Sequence, residues 1–363
     1  MSKKQTFFTI KELDKIAAKG DYVILIGERA NGKSYSVKSR VLLDAFESIE
    51  DGICKKQFAY LRRYDLDCKD SLCSAYFADM PVQEITNGKY TCVTVFRKDI
   101  YFGHVDDDGK IIRDIKIGRC FAISAAEHLK SLMFPYIYNI VFEEFVTMSG
   151  NYLYNEPLQM QHVVSSLARR RKCKIYMIGN TISRQCPYYT EWNLNAERLK
   201  PNESNVVLFD SPDFDVNSKI VIHRCRSEHF NSGLFFGRAA DSIVKGEYIS
   251  EPYPHLEHNV MQYRTTYMCV LEYDTFLYLM RYIYYSLDKD YVWYIEPKTT
   301  PIKAGTRVIT NNKWRGGRRV SSNFSGLNEK ERFIFRQLFD KTKVYFSDNL
   351  TGTEFNNLLV NYK

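Results

Sequence analysis

The 363-residue chain has nine cysteines but no Cys-x-x-Cys pair. Their number is odd and their positions scattered (54, 68, 73, 92, 120, 173, 186, 225 and 269). That pattern argues against a zinc centre and a disulfide framework, and it predicts reduced thiols. No apolar run approaches the roughly 20 residues of a membrane-spanning helix. The charged opening, Met1 to Gln5, leads into no apolar leader segment. A soluble, intracellular protein without a membrane partner is therefore expected. Internal repeats and low-complexity tracts are absent, as is the Asn-Lys-x-Asp segment usual in guanine-specific enzymes. Asp and Glu are missing from Lys298 to Arg319, a stretch holding Lys298, Lys303, Arg307, Lys313, Arg315, Arg318 and Arg319. In a chain of net charge +8, this run suits an anionic polymer; the alternative is an ordinary solvated basic loop.

Aromatic residues are abundant, with 27 Tyr and 23 Phe. They suit packed interfaces and surfaces on which bases stack, and an AT-rich coding sequence would favour them too. The proportions of charged and hydrophobic residues are those of a globular protein, and the length allows two domains.

The most informative stretch is Tyr22 to Ser34. A run of β-formers, Tyr22-Val23-Ile24-Leu25-Ile26, meets Gly27; then come Glu28-Arg29-Ala30-Asn31 and Gly32-Lys33-Ser34, followed by helix-compatible sequence. This is the strand, G-x-x-x-x-G-K-S, helix order of a phosphate-binding loop. Gly27 and Gly32 let the loop bend so that backbone N–H groups point at phosphates, and the helix N-terminus adds its positive dipole. Lys33 supplies a point charge, and the Ser34 hydroxyl suits Mg²⁺. Residues 27–35, with Tyr35 just beyond the motif, are thus the expected ATP-binding segment.

A second apolar strand, Asn139-Ile140-Val141-Phe142, ends in the tandem carboxylates Glu143 and Glu144. In such a pair the first carboxylate serves the Mg²⁺ shell and the second activates the water that attacks the γ-phosphate. The first position is ordinarily Asp; here it is Glu143. Glu144 is the expected catalytic base. The next strand, Ile175 to Ile178, is followed by Gly179-Asn180, and Asn180 at its tip is placed to sense the γ-phosphate, as in additional-strand P-loop ATPases. Arg169, Arg170 and Arg171 precede that strand and Lys130 precedes the Glu143 strand. Each is a candidate for a cation acting across a subunit interface, or a solvated charge. Arg62 and Arg63 end the strand Gln57 to Arg62, facing either the ligand side of an α/β sheet or solvent.

The remaining chain divides by pattern. Thr9 to Glu12 is a capping box opening a short helix. Residues 90–123 read as an antiparallel hairpin around Asp106-Asp107-Asp108-Gly109, a turn rather than a metal site. The α/β alternation decays near Ser211, so the expected domains are 1–210, a helical linker 211–256 with a helix from Ser232 to Tyr248, and a C-terminal domain 257–363. That domain should contain strands Thr266 to Tyr273, Thr275 to Tyr285 and Tyr291 to Glu296, and helices from Glu329 and Thr353.

Taken together, Gly27 to Ser36, Tyr60 to Tyr64, Lys130-Ser131 with Pro135, Ile140 to Phe145 and Gly179-Asn180 resemble, in order and spacing, the φ29-type phage DNA-packaging ATPases. Tyr267 to Tyr273 and Tyr291 to Pro297 resemble that family's C-terminal domain. The resemblance implies an α/β additional-strand P-loop ATPase domain, its mostly parallel sheet between helices, plus a smaller α+β RNase H-like domain that has lost its metal-binding acids. It also implies a motor subunit, pentameric in the family, that docks on the portal of an empty capsid in the host cytoplasm and drives double-stranded DNA inward at the expense of ATP. A packaging RNA is a further partner that the residues leave open. Arg29, with one of Lys130, Arg169, Arg170 and Arg171, would act at the subunit interface. An active C-terminal nuclease would need converging carboxylates; Glu272, Asp274 and Glu296 sit on or beside its expected strands.

Overall fold

The structure, a computed structural model, describes residues 7–129, 132–147, 151–169, 171–181, 186–211, 216–226, 252–273, 276–285, 290–298, 300, 302–310, 319–321 and 326–360. The chain divides into two compact units, Met1–Glu247 and Tyr248–Lys363.

In the first unit the chain order is α1 (Ile10–Ala17), β1 (Tyr22–Gly27), α2 (Lys33–Glu47), β2 (Gln57–Arg62), α3 (Asp70–Tyr76), β3 (Cys92–Phe96), β4 (Asp99–Val105), β5 (Ile111–Ala122), β6 (Ile137–Glu143), α4 (Glu156–Ala168), β7 (Lys174–Ile178), β8 (Ser204–Ser211) and β9 (Val216–Cys225). The strands form one sheet in the order β8-β9-β1-β7-β6-β2-β5-β4-β3. The six central strands, from β9 to β5, run parallel. The pairs β8–β9, β5–β4 and β4–β3 are antiparallel. The result is a mixed α/β unit with a large, mostly parallel sheet, and β7 stands between the glycine-loop strand β1 and the tandem-glutamate strand β6.

Side-chain alternation explains why the centre of this sheet is apolar on both faces. Val23 and Leu25 of β1 join one core with Val37 and Val41 of α2, Tyr60 of β2 and Val141 of β6. Ile24 and Ile26 point the other way, into a second core with Phe142, Met160 and Val163. Helix α1 starts at a completed capping box, with Glu12 N–H donating to Thr9 Oγ1 at 3.3 Å and Thr9 N–H to Glu12 at 2.8 Å. The expected hairpin is present: Asp106 accepts from the N–H groups of Asp108 and Lys110 at 3.2 and 2.7 Å, so its carboxylate organises the turn.

The boundary expected at residue 210 falls too early. Strand β9 lies wholly within the expected linker, yet it pairs with β1 from Tyr22↔Ile220 to Gly27↔Cys225. Its polar flank, Asn217-Ser218-Lys219, hides a strand whose pairing partner lies almost two hundred residues upstream. The helix expected from Ser232 to Tyr248 lies outside the described residues.

The second unit contains β10 (Arg264–Tyr273), β11 (Phe276–Tyr285), β12 (Asp290–Pro297), β13 (Val308–Thr310), β14 (Arg319–Ser321), α5 (Glu329–Arg336), β15 (Val344–Phe346) and α6 (Asn349–Val360). Its sheet order is β14-β13-β10-β11-β12-β15. An antiparallel meander, β10 to β12, is flanked by parallel pairings on both sides. The buried Trp293 organises one face, its indole N–H donating to Ile334 O at 2.8 Å. No helix among the described residues is long and apolar enough to cross a membrane.

Candidate functional site

The site forms where parallel strands end and the following helices begin. Strand β1 delivers Gly27 into the loop with φ +149°, and Gly32 enters α2 with φ +94°. A β-carbon on Gly27 would meet Cys225 O at 2.3 Å, and one on Gly32 would meet Phe8 O at 2.7 Å. Both glycines are therefore required by close backbone approach as well as by conformation. Asn31 braces the turn, with Nδ2 donating to Cys225 O at 3.3 Å and Oδ1 accepting from the Lys33 N–H at 3.3 Å.

Lys33 is buried. Its Nζ donates to Glu28 O at 2.6 Å, Asn31 Oδ1 at 3.0 Å and Gly27 O at 3.3 Å. Burial lowers its pKa, while the Cys225 thiol, Glu28 and Glu143 oppose that shift. The ammonium thus sits inside the loop, stabilised by dipoles rather than by a full counter-charge. An anion is the partner such a group lacks.

Glu143 ends β6 and is buried. Burial raises its pKa; hydrogen bonds from Tyr76 and Ser34 and the nearby Lys33 charge pull the other way. The Tyr76 hydroxyl donates to Glu143 Oε1 at 2.6 Å. The Ser34 hydroxyl and the Glu143 carboxylate are hard oxygen donors that already face each other, a donor set that fits Mg²⁺.

Glu144 behaves differently. Its backbone is left-handed, φ +56°, and its side chain is 66% exposed. Oε2 accepts from Arg62 Nη2 at 3.0 Å. Arg63 is not solvated. It donates to Glu156 from Nε at 2.7 Å and Nη2 at 3.0 Å, and to the carbonyls of Phe145 at 2.9 Å and Glu144 at 3.3 Å. Arg63 therefore clamps the backbone just past the tandem glutamates, while Arg62 holds the second carboxylate.

A cleft of about 780 Å³ joins these groups. Arg29, Ala30, Asn31, Gly32, Lys33, Ser34 and Tyr35 line it from the loop side, with Glu143, Glu144 and Asn180 opposite. Gly27 and Glu28 contribute through the carbonyls that hold Lys33. The half-buried Asn180 follows Gly179, whose N–H donates to Leu25 O at 2.9 Å. A β-carbon on Gly179 would meet the Phe145 ring at 2.7 Å, so this glycine lets the end of β7 close against the segment after β6.

Of the cations that are candidates for a neighbouring subunit, two are described. Arg171 donates from Nη1 to Ile137 O at 3.1 Å and from Nη2 to Phe134 O at 2.6 Å and Leu167 O at 2.7 Å. Its guanidinium caps backbone of its own chain. Arg169 donates to Leu132 O at 2.8 Å. Lys130 and Arg170 lie outside the described residues.

In the basic stretch, one of the described cations has an acidic partner. Arg307 is compensated, donating to Glu331 at 3.0 Å and to Gly326 O at 2.9 Å. Lys298 donates to Thr300 O at 2.7 Å, and Lys303 is exposed. Lys313, Arg315 and Arg318 lie outside the described residues, as does the side chain of Arg319; its backbone pairs with Val308. Of the three C-terminal acids, Glu296 is ion-paired with Arg281 at 3.0 Å and Asp274 lies outside the described residues.

Sequence reasoning missed Tyr76 and Glu156, and it left Arg62 undecided. The only signal for Arg62 was its place at a strand's carboxyl end; Tyr76 and Glu156 carried none.

Residues 4–222 match the family described as Podovirus DNA encapsidation protein (Gp16). The chain belongs to this family. The DNA packaging protein of Bacillus phage phi29 is 28% identical over 228 residues, covering 61% of this chain and 59% of the relative. The DNA packaging protein of Bacillus phage B103 is 27% identical over 199 residues, covering 52% and 53%. The chain thus matches between half and three-fifths of these relatives' lengths. Its fold is similar to a chain of the bacteriophage Phi-29 viral genome packaging motor assembly, with TM-score 0.57, 17% identity and coverage of 98% and 99%. As an encapsidation-family member, it carries the family match over the sheet that builds the cleft.

Proposed function

We propose that this chain is the ATP-hydrolysing subunit of a genome-packaging motor that moves double-stranded DNA into a procapsid. The observation that carries the reading is the convergence of Lys33, Ser34, Glu143, Glu144 and Asn180 on one cleft. The insertion of β7 between β1 and β6 supports the additional-strand ATPase class. In this reading the loop N–H groups and Lys33 bind the ATP phosphates, with Lys33 exchanging loop carbonyls for phosphate oxygens. Ser34 and Glu143 hold Mg²⁺, which when bound neutralises charge on the β- and γ-phosphates. Glu144 orients and deprotonates the attacking water, and Asn180 bonds the γ-phosphate. The exposed rings of Phe7 and Tyr35 at the cleft margin offer apolar surface for the base. Arg29, exposed on the loop, is the cation best placed to meet a neighbouring subunit.

A family member acting as a motor assembles as a homo-oligomer, a pentameric ring by resemblance, on the capsid portal. The host cytoplasm is the setting, and a packaging RNA is a partner that the residues leave open. The C-terminal meander with its parallel flanks suits a vestigial nuclease-like domain kept for nucleic-acid or portal contact. Lys303, with Lys313, Arg315, Arg318 and Arg319, would make sequence-neutral phosphate contacts. The test is ATP hydrolysis by the purified protein with and without double-stranded DNA at two salt concentrations. Stimulation that weakens at high salt is expected. Turnover indifferent to DNA would remove the motor and leave only a nucleotidase.

A further inference from the structure

The tandem carboxylates depart from the ordinary pattern at one position: Glu143 stands where aspartate is usual. A glutamate is one methylene longer and has one more free torsion, so its carboxylate needs an anchor to hold a fixed place. Tyr76, at the last position of α3, supplies a contact of that kind. Its hydroxyl donates to Glu143 Oε1 at 2.6 Å. The phenol itself is immobilised. Its ring stacks on Tyr60 with centroids 4.5 Å apart and planes at 20°, and it meets Phe77 edge-on at 4.9 Å. The Lys38 ammonium lies 4.8 Å from the ring centroid and donates to Tyr76 O at 2.9 Å. Tyr60 sits on β2, directly opposite Val141 of β6. The anchor is thus built on the strand neighbouring the one that carries the carboxylate. Ser34 approaches the same carboxylate from the first turn of α2.

We infer that Tyr76 is the positioning residue that lets a glutamate serve at the metal-side carboxylate, by fixing Oε1 so that the remaining lone pairs face Ser34. This rests on the nucleotide-site reading above. An ionised carboxylate only accepts hydrogen bonds, and a phenol held on three sides donates one from a set direction. Outer-shell donors of this kind typically change metal affinity by about 10- to 100-fold when removed.

The test measures binding of a non-hydrolysable ATP analogue to the full chain, once with Mg²⁺ and once with EDTA. The quantity read is the gain in affinity that Mg²⁺ confers. Tyr76→Phe keeps the stacked ring and should leave the EDTA affinity unchanged while reducing the Mg²⁺ gain about tenfold. Glu143→Asp restores the usual residue but withdraws the carboxylate from the phenol, so it should also reduce the gain. The double variant should lose no more than about twofold beyond Glu143→Asp alone, because both changes break one contact. An unchanged gain in either single variant, or losses that multiply in the double, would overturn the inference. Should Tyr76→Phe fail to fold, Glu143→Asp still decides, since an aspartate equal to or better than glutamate refutes the anchor. If the unmodified protein binds no nucleotide, the site reading fails instead, which is a separate result.

Discussion

The two ends of the central parallel sheet use the same residue types for opposite purposes. At the carboxyl end, α2 begins at Lys33, which lines a cleft that contains carboxylates, and Arg62 holds one of them, Glu144. At the amino end, helices finish. There Arg171 caps Leu167 O in the last turn of α4, and Lys174 Nζ donates to Ala17 O at the end of α1 at 2.8 Å and to Gly20 O at 2.7 Å. The helix dipole accounts for the contrast. Helix N-termini present N–H groups and attract anions, whereas C-termini present unpaired carbonyls that take up Lys and Arg. A basic residue near the glycine-loop strand is therefore not of one kind; its end of the sheet decides whether it meets the cleft or backbone.

That contrast can be broken or sharpened by substitution. The largest effect is expected from Glu144→Gln, which should bind ATP yet lower the rate of hydrolysis by about 10²- to 10⁴-fold, as loss of a general base does. Rapid-quench turnover beside an ATP-binding curve checks this, and loss of binding would show that Glu144 is not the base. Next, Lys33→Ala should weaken ATP binding by about 100-fold through loss of a charge-assisted contact. It should do so without a lower melting temperature, because the ammonium it removes is desolvated.

A third expectation concerns where a new positive charge is refused. Burial, reinforced by Lys19, pulls His223 on β9 down to about 4, where its Nδ1 lies 2.8 Å from Ser204 Oγ. The folded state then binds fewer protons than the unfolded chain between about pH 4 and 6.5. Stability from this group is complete above about pH 6.5 and is lost as pH falls toward 4, by ~3 kcal/mol in all. Urea melts across that window should show a shallower fall in His223→Gln than in the unmodified protein; parallel slopes would refute it. The smallest effect belongs to Arg171→Ala. It should cost about 1–2 kcal/mol of stability in a denaturant melt, from carbonyls left uncapped, with ATP affinity unchanged. A selective loss of turnover at unchanged stability would return Arg171 to the interface role.

Much of the first unit was legible because its signals are local. The glycine spacing in residues 27–34 needs only a strand before it and a helix after it, and both are present. The hairpin at Asp106 to Gly109 is likewise set by four neighbouring residues. The contacts that finish the site are not local. Tyr76 reaches Glu143 across 67 positions, Arg62 reaches Glu144 across 82, and Arg63 reaches Glu156 across 93. None has a spacing that a pattern can register. The same limit applied to Arg307, whose neutralising partner Glu331 lies on the far side of the stretch read as uncompensated.

The sequence by itself determined the loop, the order of strand and helix around it, and the pair of carboxylates ending an apolar strand, since each depends on residues adjacent along the chain. Tertiary structure alone decided which glutamate is buried and which is held outward, which arginines cap backbone, and that β9 closes the sheet beside β1. Those outcomes depend on which strands become neighbours, and strand pairing is settled by burial across the whole sheet rather than by any short segment.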